Sequence, residues 1–110
     1  TNLHCEIICG TANNQLMNPH TDGALLKKRG ILYSPDFIAN AGGLIRLGGL
    51  HLGMTEATID QKVAAIEETT LAVMRESAHS ESVSDAAIAY AKRRIDAARK
   101  VKEAQLAPTS

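Results

Sequence analysis

The chain has 110 residues, and its 12 lysines and arginines balance its 12 aspartates and glutamates. That length suffices for one small core, and the zero balance gives no charge-based reason to expect a nucleic acid or an anionic membrane as partner. The apolar stretches fall short of the roughly 20 residues a spanning helix needs, and no signal-peptide pattern opens the chain, so a cytoplasmic location is expected.

Cys5–Cys9 reads as a first strand ending at Gly10. The two cysteines share a face of it, but four residues of strand span about 13 Å, too far for a disulfide; two buried thiols in a reducing compartment are expected. Thr11–Asn18 is a polar loop, and Pro19-His20-Thr21-Asp22-Gly23 has turn chemistry. Ala24–Arg29 forms a short helix with Leu25 and Leu26 inward, and Gly30 stops it. Ile31–Tyr33 is a second strand. A helix between two apolar strands makes a βαβ unit, hence parallel pairing.

Ser34-Pro35-Asp36 then opens a helix: a hydroxyl for free N–H groups, a residue that needs no N–H, and an acid suited to the positive helix end. It is expected to run to about Leu47 and to fray through Gly48 and Gly49. Gly42 and Gly43 each cost roughly 1 kcal/mol relative to alanine in a helix, which suggests a close approach to the backbone there, with Asn40 alongside. Thr55 caps a long amphipathic helix with Ile59, Val63, Ile66, Thr70 and Val73 at spacings of three and four. His79–Ser84 is a polar hinge. Ser84 caps the last helix, whose apolar stripe is Ile88, Ala91, Ile95 and Ala98, and residues 107–110 form a loose tail.

Asn13 and Asn14 would ordinarily be read as an Asx-turn. Their loop, however, lies at the carboxyl end of a parallel strand, where open α/β sheets bind ligands. Asn40 could be a helix residue bonded to backbone, but a buried amide needs partners and the adjacent glycines leave room for a ligand. The histidines lack metal-ligand spacing, so no metal is expected. The basic residues from Lys92 to Lys102 spread around their helix and alternate with acids, as on a solvated face.

Two motifs carry a resemblance. Pro35-Asp36-Phe37-Ile38-Ala39-Asn40-Ala41-Gly42-Gly43 resembles the P-D-x-x-x-N-A-G-G signature of the glutamate/leucine/phenylalanine/valine dehydrogenase superfamily. Upstream, Ile7-Ile8-Cys9-Gly10-Thr11-Ala12-Asn13-Asn14-Gln15-Leu16 resembles the strand and loop of its leucine and valine branch. The order of the motifs, with one short helix between them, also matches, and Val63–Ile66 and Asp85–Ile95 follow the two C-terminal helices more loosely.

The resemblance implies an α/β fold: the C-terminal half of a Rossmann-like NAD-binding domain, with short parallel strands and helices, followed by two long α-helices. Residues 1–84 would form the C-terminal part of the dinucleotide-binding domain, and residues 85–110 the C-terminal helix and tail. The implied reaction is NAD-dependent oxidative deamination of an apolar L-amino acid to its 2-oxo acid and ammonia. Thr11, Ala12, Asn13 and Asn14 would lie on the cofactor, with Asn13 at the nicotinamide half. Asn40 would meet the amino-acid head group, donating to its carboxylate or accepting from its ammonium; Val63 and Ile66, core residues by default, would also help line the side-chain pocket, with Val63 as the substrate-binding candidate. No catalytic residue falls in this chain: the family's catalytic lysine and aspartate belong to an N-terminal domain, and no G-x-G-x-x-G phosphate turn follows a strand here. A segment of a longer enzyme is therefore expected, with the N-terminal catalytic domain as partner, an amino acid as small-molecule substrate and a homo-oligomer when full length. The alternative is a truncated, non-catalytic module acting in assembly. NAD versus NADP stays open. Arg46, Gly48, Gly49 and His51 depart from the leucine and valine pattern, leaving leucine, valine, phenylalanine and tryptophan open as substrate.

Overall fold

A computed structural model describes residues 2–107. Strand β1 (Ile7–Ile8), helix α1 (Pro19–Lys28) and strand β2 (Leu32–Tyr33) come first. A single helical turn, α2 (Asp36–Ala39), and the helices α3 (Ala41–His51), α4 (Glu56–Glu76) and α5 (Val83–Leu106) follow, with a 3-10 turn at Ser77–His79. The strands are parallel, Ile7 opposite Leu32 and Ile8 opposite Tyr33. Leu32 N–H donates to the Glu6 carbonyl at 2.8 Å, and Ser34 N–H to that of Ile8 at 2.9 Å. A short open parallel sheet leading into long helices is the architecture expected of a partial Rossmann-like fold.

The strands are shorter than their apolar runs because β1 pairs along one edge only among the described residues, which leaves Ile7 63% exposed. Cys5 and Cys9 are exposed free thiols and not buried ones, since no described element covers that face. Helix α1 starts earlier than the turn chemistry suggested. Asn18 caps it, its Oδ1 accepting from Thr21 N–H at 3.1 Å, while Asp22 Oδ2 accepts from Asn18 N–H at 2.8 Å. This reciprocal arrangement satisfies free N–H groups from both directions. Gly30 stops α1 with φ +71°, a conformation that costs other residues more.

Thr55 caps α4 as expected, its Oγ1 accepting from Thr58 N–H at 3.2 Å. Helix α5 is capped by Ser82 and not by Ser84: Ser82 Oγ accepts from Asp85 N–H at 3.0 Å and donates to Asp85 Oδ2 at 2.9 Å. An acid three residues after a serine makes the cap, and Ser82 has that acid. The helix expected from Ser34 to Leu47 is broken at Asn40 and then runs intact through Gly48 and Gly49 to His51. The tight contact is at this second glycine pair. A Cβ on Gly49 would lie 2.7 Å from Ile59 Cγ1, whereas one on Gly42 would stand 3.9 Å from its nearest neighbours and one on Gly43 would meet nothing within 4 Å.

Two cores result. Leu26, Ile31 and Tyr33 pack beneath the βαβ unit with Ile8 and Leu16. Ile38, Val73, Val83, Ala86 and Ala87 join α2, α4 and α5, with Ile66 and Tyr90 packed against them. Helix α5 is held by its N-terminal part. Farther along, Ile95, Val101 and Leu106 are 58–73% exposed, so the expected stripe is unfilled there among the described residues. Apart from Ala107, the loose tail lies outside the described residues. No helix among them is long and apolar enough to cross a membrane.

Candidate functional site

The chain leaves β1 at its carboxyl end and enters the loop 11–18, which returns past the start of α2. Asp36 fastens it there. The Asp36 side chain is buried; its Oδ2 accepts from Gln15 N–H at 3.2 Å and its Oδ1 from Phe37 N–H at 2.7 Å. Gln15 Nε2 in turn donates to the Ala12 carbonyl at 3.0 Å. Burial first, and then the Asp36 charge, push the Tyr33 phenol above its ordinary range, so Tyr33 stays neutral beside the carboxylate.

Asp36 reads in the sequence as a first-turn acid. Its hold on the loop was not legible, because Gln15 stands 21 residues away. Hydrogen bonds to a charged group contribute about 1.5–3 kcal/mol, so Asp36→Ala should lower stability by roughly that amount and speed amide exchange at Gln15. Unchanged protection at Gln15 would show that the loop is held by other contacts.

Asn40 interrupts the helix with φ −100° and ψ 10°, a region that many active-site residues occupy. The interruption aims its side chain back at the loop. Asn40 Nδ2 donates to the Thr11 carbonyl at 3.3 Å and to Asn13 Oδ1. The two motifs therefore meet through their asparagines. Asn40 Oδ1 and Asn13 Nδ2 have no hydrogen-bond partner among the described residues. Asn14 takes φ 53°, a left-handed conformation that asparagine tolerates, so it also shapes the turn.

A groove of about 410 Å³ lies among α2, α3, α4 and α5, lined by Phe37, Ile38, Ala41, Ile45, Ile66 and Tyr90 together with Lys62 and Arg94. Ile38 and Ala41 bracket Asn40 in sequence, but neither Asn40 nor Asn13 is among the residues that line the groove. Val63 is half-exposed and does not line the groove; its Cγ1 lies 3.9 Å from the Cβ position of Gly42. Ile66, the other candidate on this helix, lines the groove.

No protein-family model matches the chain. L-tryptophan dehydrogenase of Nostoc punctiforme is 40% identical over 107 residues, covering 96% of this chain and 30% of that protein. The crystal structure of L-tryptophan dehydrogenase from Nostoc punctiforme superposes with a TM-score of 0.77 at 38% identity, over 86% of this chain and 29% of that one. The chain is homologous to amino-acid dehydrogenases. It spans 30% of the length of the tryptophan dehydrogenase it matches.

The homology corrects the assignment to the leucine and valine branch. Valine dehydrogenase of Streptomyces albus is 42% identical, but over 71 residues, 64% of this chain. The likeness to tryptophan dehydrogenase runs along nearly all of it.

Proposed function

We propose that this chain is the segment of an NAD-dependent amino-acid dehydrogenase that positions cofactor and substrate for oxidative deamination of an apolar L-amino acid. The observation that carries the reading is the hydrogen bond from Asn40 Nδ2 to Asn13 Oδ1. It joins the loop at the strand's carboxyl end to the broken helix and leaves one free donor and one free acceptor side by side.

The donor set suits the cofactor. Asn13 Nδ2 would donate to the nicotinamide carboxamide, Thr11 and Ala12 would present backbone to the ring, and Asn14 would hold the turn. The chemistry a bound NAD would supply there is a hydride acceptor for the substrate Cα. Asn40, with its Nδ2 already committed, would use Oδ1 to accept from the substrate ammonium. Of the two roles open to this amide, acceptance is the one its hydrogen bonds leave free. The groove lined by Ile38 and Ala41, which bracket Asn40 in sequence, would take the substrate side chain, with Val63 outside its lining and against Gly42; 410 Å³ falls within the usual range for small-molecule pockets. The gain from such an arrangement is proximity and orientation. Acid–base chemistry would come from an N-terminal catalytic domain, in a cytoplasmic homo-oligomer.

Tryptophan is the first substrate to test, given the tryptophan dehydrogenase relatives, followed by phenylalanine, leucine and valine. The intact protein should reduce NAD with at least one of them. The 110-residue chain alone should not, because it has no phosphate turn and no catalytic lysine motif. An intact protein that binds NAD but oxidises none of the four would overturn the reading. Steady NADH production by the isolated chain would overturn the division of labour.

A further inference from the structure

Helix α1 is attached to the α4–α5 connection along one face, through His20, Gly23 and Lys27 at spacings of three and four. Lys27 Nζ donates to the carbonyls of Ser77, at 2.7 Å, and Ser80. A Cβ on Gly23 would lie 2.9 Å from both Cβ and Oγ of Ser82. At the N-terminal end, His20 Nδ1 lies 3.1 Å from both Asp85 carboxylate oxygens, and its Nε2 lies 3.5 Å from Glu81 Oε2. Of these contacts, those of His20 vary with its protonation.

We propose that His20 is a pH-operated clamp that joins the first turn of α1 to the α4–α5 connection and thereby sets the order of the Thr11–Asn18 loop. The two carboxylates meet opposite nitrogens of the ring. Only the imidazolium can donate from both, whereas a neutral ring must turn a lone pair towards one of them. One ligand atom from each of the three groups also lies within 4.8 Å of the others, so a metal ion is the rival occupant, and the test below separates the two.

The charged groups around the ring are few. Asp85 comes from α5 and Glu81 from the connection. On α1 itself Asp22 is engaged with Asn18 N–H and Lys27 with carbonyls. The next charges on α5, Lys92 and Arg93, lie about 10 Å farther along the helix, and β2, Leu32–Tyr33, offers only the neutral Tyr33. A cation in the first turn of a helix is disfavoured by the dipole. The Asp85 hydrogen bond and charge, and then Glu81, outweigh this and raise the His20 pKa above 6.5. The clamp is therefore complete below the ordinary histidine value and opens as pH rises through the raised one.

The test follows the His20 ring by NMR in the intact protein, from about pH 5 to about pH 9. Amide exchange at Gln15, Thr21 and Asp22, corrected for intrinsic rates, is measured in parallel. Protection should fall about two- to fivefold, as expected for an exposed ion pair, with its midpoint at the His20 pKa. His20→Gln should abolish this pH dependence. A flat profile in the wild type, or a midpoint away from that of His20, would overturn the clamp. So would a shift of the ring signals on adding zinc alone, which would make the cluster a metal site. Any effect on cofactor binding rests on the function proposed above, but these readouts involve no NAD and stand or fall separately from it.

Discussion

On the proposed function, replacing Asn40 by alanine is expected to lower kcat/KM for deamination by the intact protein about ten- to a hundredfold. That is the kinetic equivalent of one hydrogen bond to a charged group, roughly 1.5–3 kcal/mol, if the contact with the ammonium tightens in the transition state. NAD affinity should change far less. Asn13→Ala should instead raise the apparent KM for NAD. The two effects will not be independent, because Asn40 Nδ2 donates to Asn13 Oδ1, and each substitution frees the group that the other asparagine held. Residues in direct contact couple with either sign; here each single substitution already breaks the shared bond, so the double variant should lose less than the sum of the two losses. Measuring both single variants and the double one, at saturating and limiting cofactor, separates the roles. If the singles lose NAD binding equally and Asn40→Ala retains its chemistry, Asn40 belongs to the cofactor and not to the substrate. Strict additivity would show that the pair does not act as a unit.

Ile59→Ala should cost about 2–5 kcal/mol, the range for removing a buried aliphatic side chain and leaving its cavity. Ile59, on α4, is 0% exposed and packs against the α3 backbone at Gly49. The contact constrains Gly49 from the other side. Gly49→Ala would place its Cβ 2.7 Å from Ile59 Cγ1 and 3.1 Å from Cδ1. Overpacking of this kind costs about 1–3 kcal/mol, which the roughly 1 kcal/mol gained in helix propensity offsets only in part. Its neighbour gives the opposite sign. A Cβ on Gly48 meets nothing within 4 Å, so Gly48→Ala should stabilise by up to about 1 kcal/mol. In the double variant Ile59→Ala with Gly49→Ala, the added methyl should occupy part of the vacated space and recover some of the loss. Urea midpoints at constant slope measure all four proteins. Gly49→Ala as stabilising as Gly48→Ala would mean that α3 and α4 are not in contact there.

The sequence by itself determined the features written within a few residues of one another. The order strand, helix, strand, the stop at Gly30, the Thr55 cap and the amphipathic helix after it all depend on local capping, turn chemistry and periodicity. The two motifs likewise picked out Asn13 and Asn40 one at a time. Capping signals were legible but ambiguous where two serines stood close together, and the acid at Asp85 decided for Ser82. What the sequence did not contain was which distant groups meet. The Asp36 hold on Gln15 spans 21 residues and the Asn13–Asn40 contact 27, and both exist only because β1 and β2 lie side by side and bring their carboxyl-end loops together. The break at Asn40 follows from the same contact, since the side chain bonds to the loop and the backbone leaves the helix to let it do so. Burial, too, was decided by the tertiary structure. Cys5, Cys9 and the later part of α5 carry apolar patterning with no described element to cover it, while Gly49, expected to fray, is buried against Ile59. Periodicity shows which face of an element is able to be buried. Whether that face is buried depends on what packs against it.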